Sequence, residues 1–126
     1  MKKLAIALLA ISLAACSDNN NVVTPLQTVP GDYVLKTING TALPVTFSDG
    51  VTLNTDVLTL FDDGTSSETM QLADGRVFVD QGVYTVNNNS LTFTDETAGF
   101  SYSGSLVGAT LTAVFPDGTT EVFLKR

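Results

Sequence analysis

The sequence predicts an all-β domain: an antiparallel up-and-down meander of about eight short strands that closes into a barrel. Apolar residues alternate with threonine, serine and acidic residues over short runs, a period of two that is typical of strands. A turn unit recurs four times between these runs, and no window has the apolar spacing of an amphipathic helix. Closing the meander would remove its exposed edges. A β-sandwich is the alternative, although it usually needs longer crossing connections.

The turn unit consists of an apolar residue, any residue, Asp and Gly. Asp-Gly and Asn-Gly pairs supply the positive φ angles that tight hairpin turns require. The units are Phe47–Gly50, Phe61–Gly64, Leu72–Gly75 and Phe115–Gly118, and Asn39–Gly40 and Asn87–Asn89 add two further predicted turns. The predicted strands are 31–38, 42–47, 51–61, 65–72, 76–86, 90–94, 99–107 and 109–125, the last being a hairpin.

Residues 1–15 have the features of a signal peptide. A basic start precedes the apolar run 4–15, whose twelve residues would extend only about 18 Å as a helix, too short to cross a bilayer. The run ends in Leu13-Ala14-Ala15-Cys16, which resembles the lipobox of bacterial lipoproteins. The resemblance implies cleavage before Cys16, diacylglycerol on its thiol and a further acyl chain, such as palmitate, on its amine. The alternative is a plain secretory signal with an incidental cysteine.

The predicted lipid anchor determines the expected location of the protein. Several acyl chains are enough for stable membrane attachment. In the enterobacterial lipoprotein pattern, an Asp directly after the lipidated cysteine causes retention at the inner membrane, and here that position is Ser17. The resemblance therefore implies a cell-envelope protein on the outer membrane, facing the periplasm. Residues 16–30 are predicted to be a flexible tether. The alternative is a first edge strand containing Val22 and Val23.

The composition excludes several classes of function. The chain has no histidine, one cysteine and a formal net charge of −7. Removing residues 1–15 leaves four basic residues against thirteen acidic ones, which argues against binding nucleic acid. Without histidine, the usual general base and the usual metal ligand are both absent. We therefore expect no enzymatic activity, no cofactor and no metal.

Two adjacent acidic pairs, Asp62-Asp63 and Asp95-Glu96, are predicted to lie in solvated turns. Neighbouring strand residues point to opposite faces, so neither pair has the facing geometry of catalytic carboxylates. A calcium site formed by Asp62, Asp63 and Glu68 is a weaker alternative, because it lacks the alternating spacing of a calcium loop.

The domain 31–126 resembles the lipocalins at its two ends. Gly31-Asp32-Tyr33 is similar to their Gly-x-Trp start, with Tyr33 at the tryptophan position. The segments 39–44 and 122–126 resemble small bacterial lipocalin-like lipoproteins. In lipocalins a basic residue of the last strand packs across this ring. The resemblance implies that Lys125 or Arg126 does so over Tyr33 in a cation–π contact.

Two hypotheses for function follow. In the first, the barrel binds a small apolar ligand in a cavity. Its predicted lining consists of Tyr33, Tyr84, Phe93, Tyr102 and Phe115. In the second, these aromatic residues fill the core, and the protein is a non-catalytic interaction module that binds an envelope protein. Val34, Val114 and Phe123 are predicted to lie on the face opposite the main apolar set. They either form an exposed contact patch for a partner or are buried in contacts between strands.

Overall fold

A computed structural model describes residues 28–126, and these residues form ten β-strands and no helix. The strands are β1 Gly31–Ile38, β2 Thr41–Ala42, β3 Val45–Thr46, β4 Thr52–Leu60, β5 Thr65–Leu72, β6 Val77–Asn87, β7 Ser90–Asp95, β8 Phe100–Val107, β9 Thr110–Val114 and β10 Thr120–Lys125. The predicted signal peptide, Cys16 and the tether as far as residue 27 lie outside the described residues. Within residues 28–126, no helix is long and apolar enough to cross a membrane.

Eight of the strands form a closed antiparallel barrel. From β4 to β10 each strand pairs with the next, β10 pairs with β1, and β1 pairs with β4. This closure confirms the predicted up-and-down barrel. β1 and β4 pair only along Gly31–Val34, and where they separate, β2 and β3 pair with their free edges. The prediction of one strand over 42–47 was wrong, because each of these strands is two residues long.

The four repeated units adopt the same turn. In the unit that begins at Phe61, the Gly64 N–H donates to the Phe61 carbonyl at 3.2 Å, and Asp63 Oδ1 accepts from the Thr65 N–H at 2.9 Å. The units at Phe47, Leu72 and Phe115 have equivalent bonds. Their glycines have φ between 86° and 93°, a region that residues with a Cβ rarely adopt. The sequence unit thus sets the hairpin connections, as predicted.

The two ends of the barrel differ. At the end that we call the closed end, the chain enters β1, Val29 packs against the core, and the Tyr33 hydroxyl donates to the Val29 carbonyl at 2.5 Å. Lys125 Nζ donates to the Thr28 carbonyl at the same end. The opposite end, which we call the open end, carries the turns 73–76, 96–99 and 115–119.

Large apolar side chains fill the barrel near the closed end. Those with less than 2% exposure are Tyr33, Leu58, Leu60, Leu91, Phe93, Leu106, Leu111 and Phe123. The prediction that Phe123 lies on the face opposite the main apolar set was wrong. The register of β10 on β1 places Phe123 opposite the buried Leu35, so its neighbour Leu124 faces solvent instead. Val114 is exposed and Val34 is half-buried.

Candidate functional site

A column of aromatic rings leads from the core to the open end. The ring centroids of Phe93 and Tyr102 are 4.8 Å apart, and those of Tyr102 and Phe115 are 4.3 Å apart, both pairs being stacked. Phe100 lies beside the outer rings, 5.8 Å from Tyr102 and 5.9 Å from Phe115. These separations are close to those favoured by aromatic pairs. The column therefore carries aromatic surface from the buried core to the rim.

Two open depressions meet at the rim, over Phe115 and Pro116. The larger has a volume of about 470 Å³ and is also lined by Phe100, Asp117 and Glu121. The smaller has a volume of about 390 Å³ and lies on the outer wall beside Tyr102, where Thr92, Ser103 and Val114 face solvent. Both volumes fall within the range of small-molecule sites. The open end thus offers an aromatic surface with carboxylates along one edge.

Below this surface, five acidic residues form a layer that faces the barrel interior. Because directly paired residues of adjacent strands share a face, Glu68 faces inward with its partner Leu58, and Glu121 faces inward with its partners Ile38 and Ala113. We call this set the acidic layer, and its members are Asp56 on β4, Glu68 on β5, Asp80 on β6, Asp95 on β7 and Glu121 on β10.

Three members of the layer, which we call the acidic triad, lie close together. One carboxylate oxygen each from Asp56, Glu68 and Glu121 lies within 4.8 Å of the others. Asp56 is only 2% exposed, and its Oδ1 is buried without a hydrogen-bond partner. A buried carboxylate oxygen without a hydrogen-bond partner lowers the free energy of unfolding, so the triad destabilises the fold.

The other two members, Asp80 and Asp95, form a second pair. Asp95 is 9% exposed, and its Oδ1 accepts a hydrogen bond from the Ala98 N–H at 2.8 Å. A cavity of about 10 Å³, the space of roughly one water molecule, lies against this pair, Glu68 and Tyr102. The prediction that the Asp95-Glu96 pair is a solvated turn was therefore wrong for Asp95, which points inward.

Burial and neighbouring carboxyls raise the pKa values of Asp56, Glu68, Asp80 and Glu121. Burial raises the pKa of Glu121 to about 8, and the nearby Glu68 adds to this rise. Burial is also the main cause of the raised pKa values of Glu68 and Asp56, which are joined by a hydrogen bond. A hydrogen bond with Asp95 raises the pKa of Asp80 to about 6. Burial, together with the surrounding carboxyls, raises the pKa of the Tyr102 hydroxyl.

In the described part of the chain, no basic side chain neutralises this layer. Arg76 pairs with Asp74 at 2.8 Å and Arg126 with Asp32 at 3.3 Å, both on the surface. Lys36 is exposed. Lys125 lies at the closed end with its Nζ 5.8 Å from the centroid of the Tyr33 ring, in the contact that the lipocalin resemblance implies.

The five residues that were predicted to line a cavity lie in two different parts of the barrel. Tyr102 and Phe115 lie at the open end, where they border the depressions. Tyr33, Tyr84 and Phe93 are 0%, 8% and 1% exposed and belong to the packed core, and Phe93 also lines the cavity of about 10 Å³. The Tyr84 hydroxyl donates to the Phe61 carbonyl at 2.5 Å, on the closed side of the barrel.

Sequence reasoning missed the acidic layer because it assigned acidic residues to the solvent face. The sequence feature that could have revealed this layer was the position of each acidic residue relative to the core residues of its strand. Asp95 lies two residues beyond the buried Phe93, and Asp56 two residues before the buried Leu58. In strict alternation, such acids point to the side on which the core residues lie. The inward position of Glu121 could not be predicted in this way, because the prediction had exchanged the inward and outward faces of β10.

The fold is similar to that of a solved lipocalin-like protein from Bacteroides uniformis. The two structures match with a TM-score of 0.52 at 16% sequence identity, over 78% of this chain and 98% of that chain. This similarity confirms the predicted lipocalin-like barrel. No protein-family model matches the chain, and no match is found among curated proteins.

Proposed function

We propose that this protein is a lipid-anchored lipoprotein of the cell envelope that binds a small ligand at the open end of its barrel. The observation that carries the binding proposal is the aromatic depression of about 470 Å³ between Phe100 and Phe115. The half-buried Phe115 ring is stacked on the column, and the exposed Phe100 ring packs beside it, so the inner rings fix the outer ones and form a rigid apolar platform. The apolar body of a ligand would lie on this platform.

The carboxylates along the depression favour a ligand with a hydrogen-bond-donating or positively charged end. Glu121 and Asp117 line the same depression as Phe100 and Phe115. Deeper in the barrel, the described residues leave a cavity of only about 10 Å³ beside Glu68, which is too small for an organic ligand. The proposed ligand therefore occupies the rim and not the interior.

The position of Thr28 is compatible with a membrane anchor on Cys16. The described chain starts at the closed end, opposite the aromatic depression. Residues 17–27 join Cys16 to Thr28 and span at most about 40 Å when extended. An anchored domain would thus leave its open end accessible to ligands.

Metabolic labelling tests the anchor. Cells that express the full chain should incorporate labelled palmitate into it, and Cys16→Ala should abolish the label and leave an unprocessed precursor. Ser17→Ala is the matched control, because it leaves the lipobox cysteine in place. Equal labelling of Cys16→Ala and the unmodified chain would refute the anchor.

Native mass spectrometry of the full chain, extracted in detergent without refolding, tests the ligand. We expect an additional mass that is lost on denaturation. Replacing both rim rings, Phe100→Ser with Phe115→Ser, should remove it. Phe61→Ser is the matched control, because Phe61 is 44% exposed but lies at the closed end. A bare chain mass, unchanged after incubation with lipids and other small apolar molecules, would refute ligand binding.

A second candidate function, binding to an envelope protein, is favoured by Val77 and Val79 on β6. These two residues share the outer face of the strand and are 53% and 49% exposed, and exposed apolar surface is typical of interaction sites. A photo-crosslinking residue at Val79 should then give one discrete protein adduct in cells. The same residue at Thr85, also exposed on β6, should give none.

A further inference from the structure

The acidic triad has the dimensions of a cation site. Calcium lies 2.3–2.6 Å from its oxygen ligands, so two oxygens on one ion are separated by at most about 5 Å. One oxygen each of Asp56, Glu68 and Glu121 already lies within 4.8 Å of the others. Magnesium has shorter bonds of about 2.0–2.1 Å, so two oxygens on one magnesium ion are separated by at most about 4.2 Å.

Asp56 gives independent support for an occupant. Its side chain belongs to the triad and is 98% buried, yet Oδ1 has no hydrogen-bond partner. Buried carboxylate oxygens are normally satisfied, and each exception calls for an ion, a water or a functional role. A cation among the three carboxylates would satisfy this oxygen and compensate for the burial of its charge.

Charge and ligand type favour a small inorganic cation as the occupant. None of the basic side chains in residues 28–126 reaches the acidic layer, so its negative charge has no counterion in the described chain. A cavity of about 10 Å³, which Glu68 shares with Asp80 and Asp95, has room for one water ligand. Carboxylate oxygens are the ligands preferred by calcium, magnesium and manganese ions.

We propose that Asp56, Glu68 and Glu121 bind a divalent cation inside the barrel, with calcium the best fit by size. The sequence alone had predicted no metal site. Glu121 also lines the aromatic depression of the proposed function, whereas Asp56 and Glu68 do not. Glu68→Gln therefore tests the cation site, and the paired replacement of Phe100 and Phe115 tests the ligand site, so the failure of one proposal is distinguishable from the failure of the other.

Calorimetric titration of the EDTA-treated full chain with calcium, manganese or magnesium chloride tests the proposal. We expect one saturable site at pH 8, with a dissociation constant of about 1 mM or tighter, the range of extracellular calcium modules. Glu68→Gln and Glu121→Gln should each weaken binding about tenfold or more, since affinity depends on the number of charged ligands. Glu96→Gln, in an exposed turn, is the matched control and should bind normally.

Terbium luminescence tests the site without mutating it. Terbium(III) takes the same oxygen ligands as calcium, and a nearby phenol ring sensitises its emission. Excitation of tyrosine should produce terbium emission that calcium removes by competition, and Tyr102→Phe should reduce the emission while calcium affinity is retained. No saturable binding of any of the three divalent ions, or an equal loss of binding in Glu96→Gln, would overturn the proposal.

Discussion

The two halves of this barrel differ in the side chains that fill their interior. Toward the closed end the interior contains tightly buried leucine and aromatic side chains, and residue 29 packs against them. Toward the open end the inward positions hold five carboxyls and partly exposed rings. The same wall of strands therefore encloses an apolar core at one end and a polar, acidic interior at the other.

The closed half stabilises the fold, and the buried carboxyls of the open half destabilise it. Burying apolar side chains stabilises the fold, whereas burying carboxyls without a counterion opposes folding. Proteins retain such unfavourable groups mainly at functional sites. Both proposed sites, for the ligand and for the cation, therefore lie in the open half, and the closed half supports them.

Truncating a core ring of the closed half should have the largest effect. Phe123→Ala is expected to lower the free energy of unfolding by about 3–5 kcal/mol, because it removes a fully buried ring and leaves a cavity. Leu124→Ala is the matched control, since Leu124 is 40% exposed, and it should cost less than about 1 kcal/mol. Urea unfolding measures both. Equal losses in the two variants would contradict the assigned face of β10.

Adding a single methyl group at Gly104 should have the next largest effect. A Cβ at this position would lie 2.7 Å from Phe93 Cε2 and 3.2 Å from Leu111 Cδ1, with no positive φ to add strain. Gly104→Ala is expected to cost about 1–3 kcal/mol by overpacking the inner end of the aromatic column. Ser103→Ala, at the exposed neighbour, should be nearly neutral, and a neutral Gly104→Ala would show that the core is loosely packed.

The open half should make stability fall as the pH rises. Glu121 has a pKa of about 8 in the fold, above its ordinary 4.5, so it binds its proton more tightly when the domain is folded. The stability that the bound proton of Glu121 contributes to the fold is complete below pH 4.5 and is lost as the pH rises toward 8. Asp80, with a pKa of about 6, acts in the same direction. The surface aspartates with lowered pKa values act only at more acidic pH.

In EDTA, the thermal midpoint of the full chain should therefore be lower at pH 8 than at pH 5. Glu121→Gln should reduce this difference and raise the free energy of unfolding at pH 8 by about 1 kcal/mol, roughly the equivalent of one pKa unit. Glu96→Gln should leave the profile unchanged. A thermal midpoint that rises from pH 5 to pH 8 would show that the acidic layer is solvated.

The smallest effects should come from the two C-terminal cations. Lys125→Ala removes the charge that faces the Tyr33 ring at the closed end and is expected to cost about 0.5–1 kcal/mol. Arg126→Ala breaks an exposed pair with Asp32 and should cost less than about 0.5 kcal/mol. Thermal unfolding measures the loss of stability in both variants. A larger loss for Arg126→Ala would contradict the larger contribution that we assign to Lys125.

Much of the fold could be predicted from local sequence. The Asp-Gly units dictated the hairpin turns because their glycines and Asp side chains satisfy the turn within a few residues. Strands β1 and β5 have the bounds that alternation predicted. The short strands β2 and β3 were missed, because their partners become available only where β1 and β4 separate.

The candidate site was much less accessible to the same reasoning. Tyr102 and Phe115 were singled out as aromatic residues, but only the barrel determines that they reach the rim while Phe93 lies under them. The members of the acidic triad are 12 and 53 residues apart along the chain, at positions 56, 68 and 121. No local pattern connects them.

The sequence by itself determined the strand order, the turns and the alternation of faces, since these depend on neighbouring residues and on backbone conformations that few residue types adopt. Tertiary structure alone decided which face of β10 points inward, which aromatic rings are core and which are rim, and that carboxyls from three strands meet in the interior. The reason is the closure of the barrel. The register between β10 and β1 joins the two ends of the domain, and that register is set by long-range packing.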